Sequence, residues 1–343
     1  MSQAEVRSVK LTLSGRRRNN EDSVVDLRFP DGRHLVAVAD GMGGHQSGEV
    51  ASSMAVDVLS REVAGGRDLR EAVRAANLAI YNAARRDPRR SGMGTTLVAL
   101  LRQGSTYEIA NVGDSRAYRI ARTGIFPITR DHSFAAEARQ SRLMSPEEIA
   151  RSPWRNALTR SLGAEESVEV DLFGPFGWTE SPHIALLCSD GVYRSVSDEA
   201  IQKLVLSCGD LASAAEVVAT RAFQGGSDDN MSVAGVEFGR VVKMPNGPQA
   251  NSLPPQAARP VAFEQLSAPP PTVRRTALAA ADAGGHSETQ TAISPALWGS
   301  VTEPGVFRWI RRFFGVIAGD NTLFGVSVAI PVLWLLAHPS TLG

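Results

Sequence analysis

Cysteine is nearly missing from this chain: Cys188 and Cys208 are the only two in 343 residues. They form no CxxC or Cys/His spacing that would suit zinc, and Cys188 falls inside an apolar run. Two reduced, buried thiols of the cytosolic kind are therefore expected. A charge excess is missing as well. Lys and Arg number 36 against 36 Asp and Glu, which leaves no electrostatic reason to expect a nucleic-acid partner. The opening MSQAEVRSVKLTLSG has no apolar stretch of the kind a secretory leader needs, so none is expected. No Lys lies between Asp40 and Val50. The glycine-rich stretch DGMGGHQSGEV is thus not a Walker phosphate loop, which ends in Gly-Lys followed by Ser or Thr.

Hydrophobic residues make up 43% of the chain and charged residues 21%, enough for a sizeable core. From about Val6 to Val242 short apolar strands alternate with amphipathic helices. Leu11 and Leu13 alternate with Thr12 and Ser14 as in a half-buried strand, and Leu35 to Ala39 reads as a fully apolar one. Val50, Met54 and Val58 recur four apart, as do Leu69, Val73 and Ala76 with Ile80, which predicts two helices with one apolar face each. The run TTLVALLRQGSTYEIANVGDSRAYRIA contains three strand-like stretches broken by QGS and VGDS, and reads as an antiparallel meander. HIALLC and MSVAGVEF read as strands, and SDEAIQKLVL and LASAAEVVATRAF as helices, the second stopped by Gly225 and Gly226. Helices packed on an antiparallel sheet system follow, rather than a parallel doubly wound sheet.

Composition changes after Lys243. Residues 243–304 are rich in Pro and small polar residues without a period, the pattern of a disordered linker. In 305–320 the residues Trp309, Ile310, Phe313, Phe314 and Ile317 share one helical face, with Arg308, Arg311 and Arg312 elsewhere, which suits a membrane interface. Leu323 to Ala337 is uncharged but spans only about 22 Å as a helix, against a hydrocarbon core of roughly 30 Å. Flanking Asn321, Thr322 and His338 narrow the gap, so 321–338 is expected to be a transmembrane anchor, the alternative being a buried core helix. The preceding arginines would keep the main domain on the cytoplasmic side.

Acidic residues recur at the edges of the apolar runs: Asp40 in VAVADG, Asp190 in ALLCSDG, Asp228 and Asp229 in GGSDDNMSV, Asp114 in NVGDSR, and Glu21 with Asp22 in NNEDS. A single Asp-Gly is usually just a turn. Five such sites at strand ends are harder to dismiss, because strand ends of one sheet system often lie together. Carboxylates brought that close cannot all ionise without cations. Oxygen ligands without His or Cys favour Mg or Mn over zinc, and two such ions could activate a water for attack on phosphorus. An Arg from the run Arg16 to Arg18 could bind phosphate in bidentate fashion, although a triple Arg is more often a solvated face.

The stretches GRRRNNEDS, VADGMGGHQSGEVAS, SGMGTTLVAL, NVGDSRAYRI, TRDHS, NALTRSLG, LLCSDGVYRSVSD and GGSDDNMSV resemble, in order, the motifs of metal-dependent serine/threonine protein phosphatases of type 2C in their bacterial form. The match runs from about Gly15 to Val236. It implies an α+β fold, a four-layer αββα sandwich of two antiparallel sheets flanked by helices, as a catalytic domain over 6–242. It implies two Mn or Mg ions with a third, weaker one. Asp40 would bridge the two, with Asp190 and Asp229 on the first and Glu21 and the Gly41 carbonyl on the second. Asp22 and Asn230 would support these ligands, Asp114 with Asp190 would hold the third ion, and Arg17 would bind the substrate phosphate. Phe134 to Trp154 stands where the family has a mobile flap beside the cleft.

Animal members carry a His after the Asp-Gly as proton donor, where this chain has Met42. His45 reads as an ordinary polar turn residue and His132 as a loop-ordering one, which leaves a metal-bound water as proton source. The expected activity is hydrolysis of phosphoserine and phosphothreonine in proteins by a hydroxide activated at the dinuclear site. It would reverse a serine/threonine kinase at the bacterial inner membrane, the chain being held there by a single pass. The alternatives are a phosphoprotein-binding pseudophosphatase and a two-metal phosphodiesterase.

Overall fold

The computed structural model describes residues 6–43, 47–142, 144–178, 181–239 and 241. The linker, interfacial segment and anchor expected beyond 242 lie outside them, as does His45.

Two antiparallel sheets carry the structure. The first orders its strands β1 (Arg7–Leu13), β11 (Met231–Phe238), β10 (His183–Cys188), β7 (Arg116–Ala121) and β8 (Gly124–Pro127). The second orders β2 (Asp22–Arg28), β3 (His34–Met42), β5 (Leu97–Gln103), β6 (Thr106–Val112) and β9 (Asp171–Gly177), with the short β4 (Gly94–Thr95) on the end of β3. Both sheets are apolar on both faces at their centres, since β3, β5, β10 and β11 are buried almost end to end. Between the sheets Val36, Val98, Ile109, Leu187 and Val236 interdigitate, and the ring of Phe238 stacks on Tyr107 with centroids 4.7 Å apart.

The outer faces are covered by helices whose apolar stripes the sequence shows. Helices α1 (Ser47–Ala64) and α2 (Leu69–Arg86) bury Leu59, Val63, Val73 and Ile80 on the second sheet. Helices α6 (Asp198–Ser207) and α7 (Leu211–Gln224) bury Ile201, Val205, Val218 and Ala222 on the first. The result is the expected αββα layering. Short helices α3 (Phe134–Ser141) and α4 (Pro146–Arg151) fill the stretch that resembles a flap, and α5 (Asp190–Tyr193) is a single turn after β10. A capping box between Ser145 and Glu148 starts α4.

One expectation needs correction. The three strands from Thr95 to Ala121 do not form one meander, because β5 and β6 pair in the second sheet while β7 pairs with β10 and β8 in the first. Apolar alternation sets which face of a strand is buried, not which sheet it joins. The chain crosses between sheets at Gly113, whose φ of 105° and tight packing against the Thr96 side chain exclude a Cβ. Strands β8 and β9 escape the sequence pattern. Pro175 sits in β9, which as an edge strand tolerates a residue without an N–H.

Phe238 is fully buried in the inter-sheet layer, so Phe238→Ala should lower the unfolding free energy by about 3–5 kcal/mol. Urea denaturation checks this, with Trp178, 5.6 Å from the Phe238 ring, as fluorescent reporter.

Candidate metal centre

Two of the four crossovers between sheets, β1 to β2 and β6 to β7, together with the ends of the central strands, deliver the acidic residues to one end of the sandwich. Asp40 lies near the end of β3 and faces Asp22 of β2 in the ladder. Glu21 ends the crossover from β1, and Asp114 lies in the crossover from β6 to β7. Asp190 starts α5 directly after β10, and Asp229 stands two residues before β11. The backbone around Asp40 is pinned on both sides. Its N–H donates to Thr96 Oγ1 at 3.0 Å, and its carbonyl accepts from the Thr96 N–H and from Thr95 Oγ1, each at 2.9 Å.

Gly41 is required for closeness. Its φ is not in the left-handed region, but a Cβ there would collide with the carbonyl oxygens of Gly48 and Glu21. A Cβ on Gly48 would lie 2.6 Å from Glu21 Oε2. The first turn of α1 therefore seats directly on the Asp-Gly strand end and on Glu21, and Ser52 of α1 donates to the Glu21 carbonyl at 2.6 Å. Met42 pairs with Gly94 across β3 and β4, its Cε at 2.9 Å from where a Gly94 Cβ would be.

Asn230 and Asp22 hold the parts together from behind. Asn230 Oδ1 accepts from the Glu21 N–H at 2.8 Å, while its Nδ2 donates to the carbonyls of Ser14 and Asn19 at 3.0 and 2.9 Å. One amide thereby fixes the β1–β2 crossover to the start of β11. Asp22 is buried, and its Oδ2 accepts from Ser189 Oγ at 2.9 Å and Ser232 Oγ at 2.7 Å. Ser189 and Ser232 border the Asp190 and Asp229 motifs, so these bonds link three of the acidic stretches. Both serines stood in the quoted motifs, but nothing in their spacing marks them as partners of Asp22.

The electrostatics of this end are those of too many carboxylates. Burial, then Asp22, Asp190, Asp114 and Asp229, raises the Asp40 pKa well above the usual carboxylate range. Burial lifts Asp22 to about 7 against the two serine bonds, and lifts Asp114 to about 6 with help from Asp190. Burial also raises Asp190 and Glu21. Two arginines partly offset the charge. Arg17 Nη2 lies 2.9 Å from Asp229 Oδ2 while its Nε donates to the Asp228 carbonyl, and Arg194 Nη2 lies 3.0 Å from both Asp190 Oδ2 and Asp114 Oδ2.

No three acidic, His or Cys side chains form a closed metal cage among the described residues. The donor set nevertheless fits hard cations. It is all oxygen, its members repel one another, and Asp190 Oδ1 is buried with no hydrogen-bond partner.

The structure thus brings Glu21, Asp40, Gly41, Asp114, Asp190 and Asp229 to one end, with Asp22 and Asn230 behind them and Arg17 at the exposed rim. Sequence reading missed Tyr193 and Arg194. Tyr193 donates to Asp114 Oδ2 at 3.2 Å, and its ring is covered by Arg116, whose guanidinium carbon is 3.7 Å from the centroid. Arg194 follows Asp190 by four residues, a spacing that signals a pair on one helical face. His132 is buried away from solvent. Its Nδ1 accepts from the Gly113 N–H at 3.0 Å and its Nε2 lies 3.2 Å from Asp171 Oδ2, so it orders the Asp114 crossover.

Comparison with known proteins agrees with this architecture. A family model described as protein phosphatase 2C matches residues 15–220. The serine/threonine phosphatase stp of Listeria welshimeri is 38% identical over 232 residues, covering 64% of this chain and 91% of its own. Among solved structures, the serine/threonine phosphatase Stp1 of Staphylococcus aureus superposes with a TM-score of 0.62 at 31% identity, over 70% of this chain and 96% of that one. The catalytic domain of the serine/threonine protein phosphatase PstP, in complex with two manganese ions, gives 0.59 at 32% identity, over 68% and 99%. With two thirds of the length covered at such identity, and with two helix-flanked antiparallel sheets in common, the chain belongs to the protein phosphatase 2C family in its bacterial form.

Proposed function

We propose that this chain removes phosphate from phosphoserine and phosphothreonine in proteins, using two Mn or Mg ions held at its acidic end. The observation that carries the reading is the convergence of Glu21, Asp40, Asp190 and Asp229, with a buried Asp190 oxygen left without a partner. Asp40, which feels Asp22, Asp190, Asp114 and Asp229 together, would serve as a ligand to both ions. Asp190 and Asp229 would complete the site of one ion, and Glu21 with the Gly41 carbonyl that of the other. Such a pair supplies charge neutralisation for a phosphoryl group and the acidity that lets a water attack at neutral pH.

The chain's own groups do the positioning. Arg17, with a side chain half exposed at the rim, offers a planar fork of donors to phosphate oxygens. Asp22 and Asn230 keep the ligand-bearing segments in register. Among the described residues no cysteine is placed to attack phosphorus: Cys188 and Cys208 are both buried, and burial pushes the Cys188 thiol up to about 12. His132 is committed to Gly113 and Asp171. Direct attack by water, without a phosphoenzyme, follows. Met42 has no proton to give, and a water at the ions would be the proton source for the leaving alkoxide. A binding-only module would have no use for the full acidic set.

The wider setting of the proposal is a tether. Among the described residues no helix is long and apolar enough to cross a membrane, and the expected anchor at 321–338 lies beyond them. The uncharged run there and the arginines before it support a catalytic domain over 6–242 held by the 243–304 linker on the cytoplasmic face of the inner membrane. It would there reverse a membrane-linked serine/threonine kinase.

Asp40→Asn should abolish hydrolysis of a phosphothreonine peptide in Mn while leaving the circular dichroism spectrum unchanged. Full turnover by that variant, or by the native chain in excess chelator, would sink the mechanism. Asn230→Ala removes three bonds that fix the Glu21 segment, and a Mn titration should show affinity reduced about 10- to 100-fold. A chain ended after Val242 should be monodisperse in detergent-free buffer and keep the kcat of the full chain, and sedimentation with steady-state assays checks both points.

A further inference from the structure

The type 2C resemblance implies a third, weaker ion at Asp114 and Asp190, and at this corner the chain's own residues do not fit it. Arg194 Nη2 sits 3.0 Å from Asp114 Oδ2 and 3.0 Å from Asp190 Oδ2, so one guanidinium bridges the pair that the third ion would have to bridge. The same Asp114 oxygen also accepts from Tyr193 Oη at 3.2 Å. Asp114 itself is 4% exposed.

The bridge is built by local structure. Asp190 begins the single turn α5 and Arg194 caps it, its backbone N–H donating to the Asp190 carbonyl at 3.0 Å. Residues four apart on a helical turn lie side by side, which puts the Arg194 side chain over Asp190 and toward the β6–β7 crossover. Tyr193 is held in turn by Arg116, which lies on its ring and makes two bonds to Asp131, at 2.9 and 2.7 Å. The crossover that carries Asp114 is fixed from the other side by His132, bonded to Gly113. Both carboxylates and the cation between them are therefore placed by separate, well-packed supports.

A guanidinium keeps its charge at any pH the protein meets and cannot make room by losing a proton. A Mg or Mn ion would need these same carboxylate oxygens at about 2.1 Å, in the space the Arg194 nitrogens occupy, and would be repelled by the charge there.

We infer that Arg194 replaces the third ion of the family in this chain, giving the Asp114–Asp190 pair a permanent cation so that the acidic end takes up two divalent ions and no more. The inference rests on the two-ion reading of Glu21, Asp40, Asp190 and Asp229 proposed above. It also assigns Tyr193 and Asp114 to holding Arg194 in place.

Counting bound Mn by equilibrium dialysis, with free Mn read by electron paramagnetic resonance, tests it on the full chain. The native protein should saturate at two ions, R194Q at three with the last the weakest, and R194Q/D114N again at two. Arg194 has a side chain 38% exposed at the end of a helical turn, so its replacement by Gln leaves the core untouched. Three ions in the native protein, two in R194Q, or three in the double variant would each overturn the inference while leaving the two-ion reading in place. Fewer than two ions in the native protein would overturn both.

Discussion

Carboxylates that share a buried site disfavour one another's charge, and the end of this sandwich gathers five of them with Asp22 buried behind. That repulsion is the term against which the local structure is arranged. Part of it is met by hydrogen bonds, as at Asp22, where Ser189 and Ser232 both donate to one oxygen. Part is met by the fixed cations Arg17 and Arg194. The buried Asp190 Oδ1, which meets neither, is where the arrangement stays open. A fold under this load needs its acidic segments held by something other than their charges, and the neutral amide of Asn230 supplies that with three bonds at once.

Topology explains why the load falls in one place. Of the four places where the chain changes sheets, the crossovers from β1 to β2 and from β6 to β7 each carry one carboxylate, Glu21 or Asp114. The other three stand where β3, β10 and β11 begin or end at the same edge of the sandwich. Loops at a strand end have backbone free to be shaped, while the strands behind them are locked by apolar layers on both faces. Rigid strands thus set positions to which the loops could not hold carboxylates unaided. Close approach does the rest, since Gly41 and Gly48 let α1 and Glu21 meet the Asp40 strand with no side chain between them.

Much of this could be read from residue order alone. The helices α1, α2, α6 and α7 declare themselves by apolar positions four apart, and Asp-Gly or Asp-Asn at the edges of apolar runs marks three of the five acidic sites. What escaped has a common cause. Strand β7 lies in the other sheet from β6 although VGDS looks like a hairpin turn, because a two-residue pattern carries no record of the partner strand. Strand β9 escaped because Gly174 and Pro175 interrupt its apolar run. Arg194, Ser189 and Ser232 lie inside or beside motifs that were read for their carboxylates. Their contacts with Asp114 and Asp22 run across 80 to 210 positions of chain, which no local spacing reveals.

Arg17 and Arg194 answer the same repulsion in different ways. Arg194 is fixed on two carboxylates at the end of a helical turn, has an aromatic neighbour that is itself clamped, and is only partly exposed. Arg17 touches one carboxylate, lies at the rim and is more than half exposed. A guanidinium carries five N–H donors, and Arg17 uses Nε and Nη2 on the Asp228 carbonyl and Asp229. Its Nη1 side is left facing away from that pair, so Arg17 can hold Asp229 and still offer donors to a phosphate oxygen. The two roles proposed for this corner, Asp229 as an ion ligand and Arg17 as a phosphate ligand, are therefore compatible, and an ion taken up at Asp229 would weaken the pair and leave more of the fork to substrate. Arg194, which already spans Asp114 and Asp190 with one nitrogen, has its charge committed to the acidic end itself.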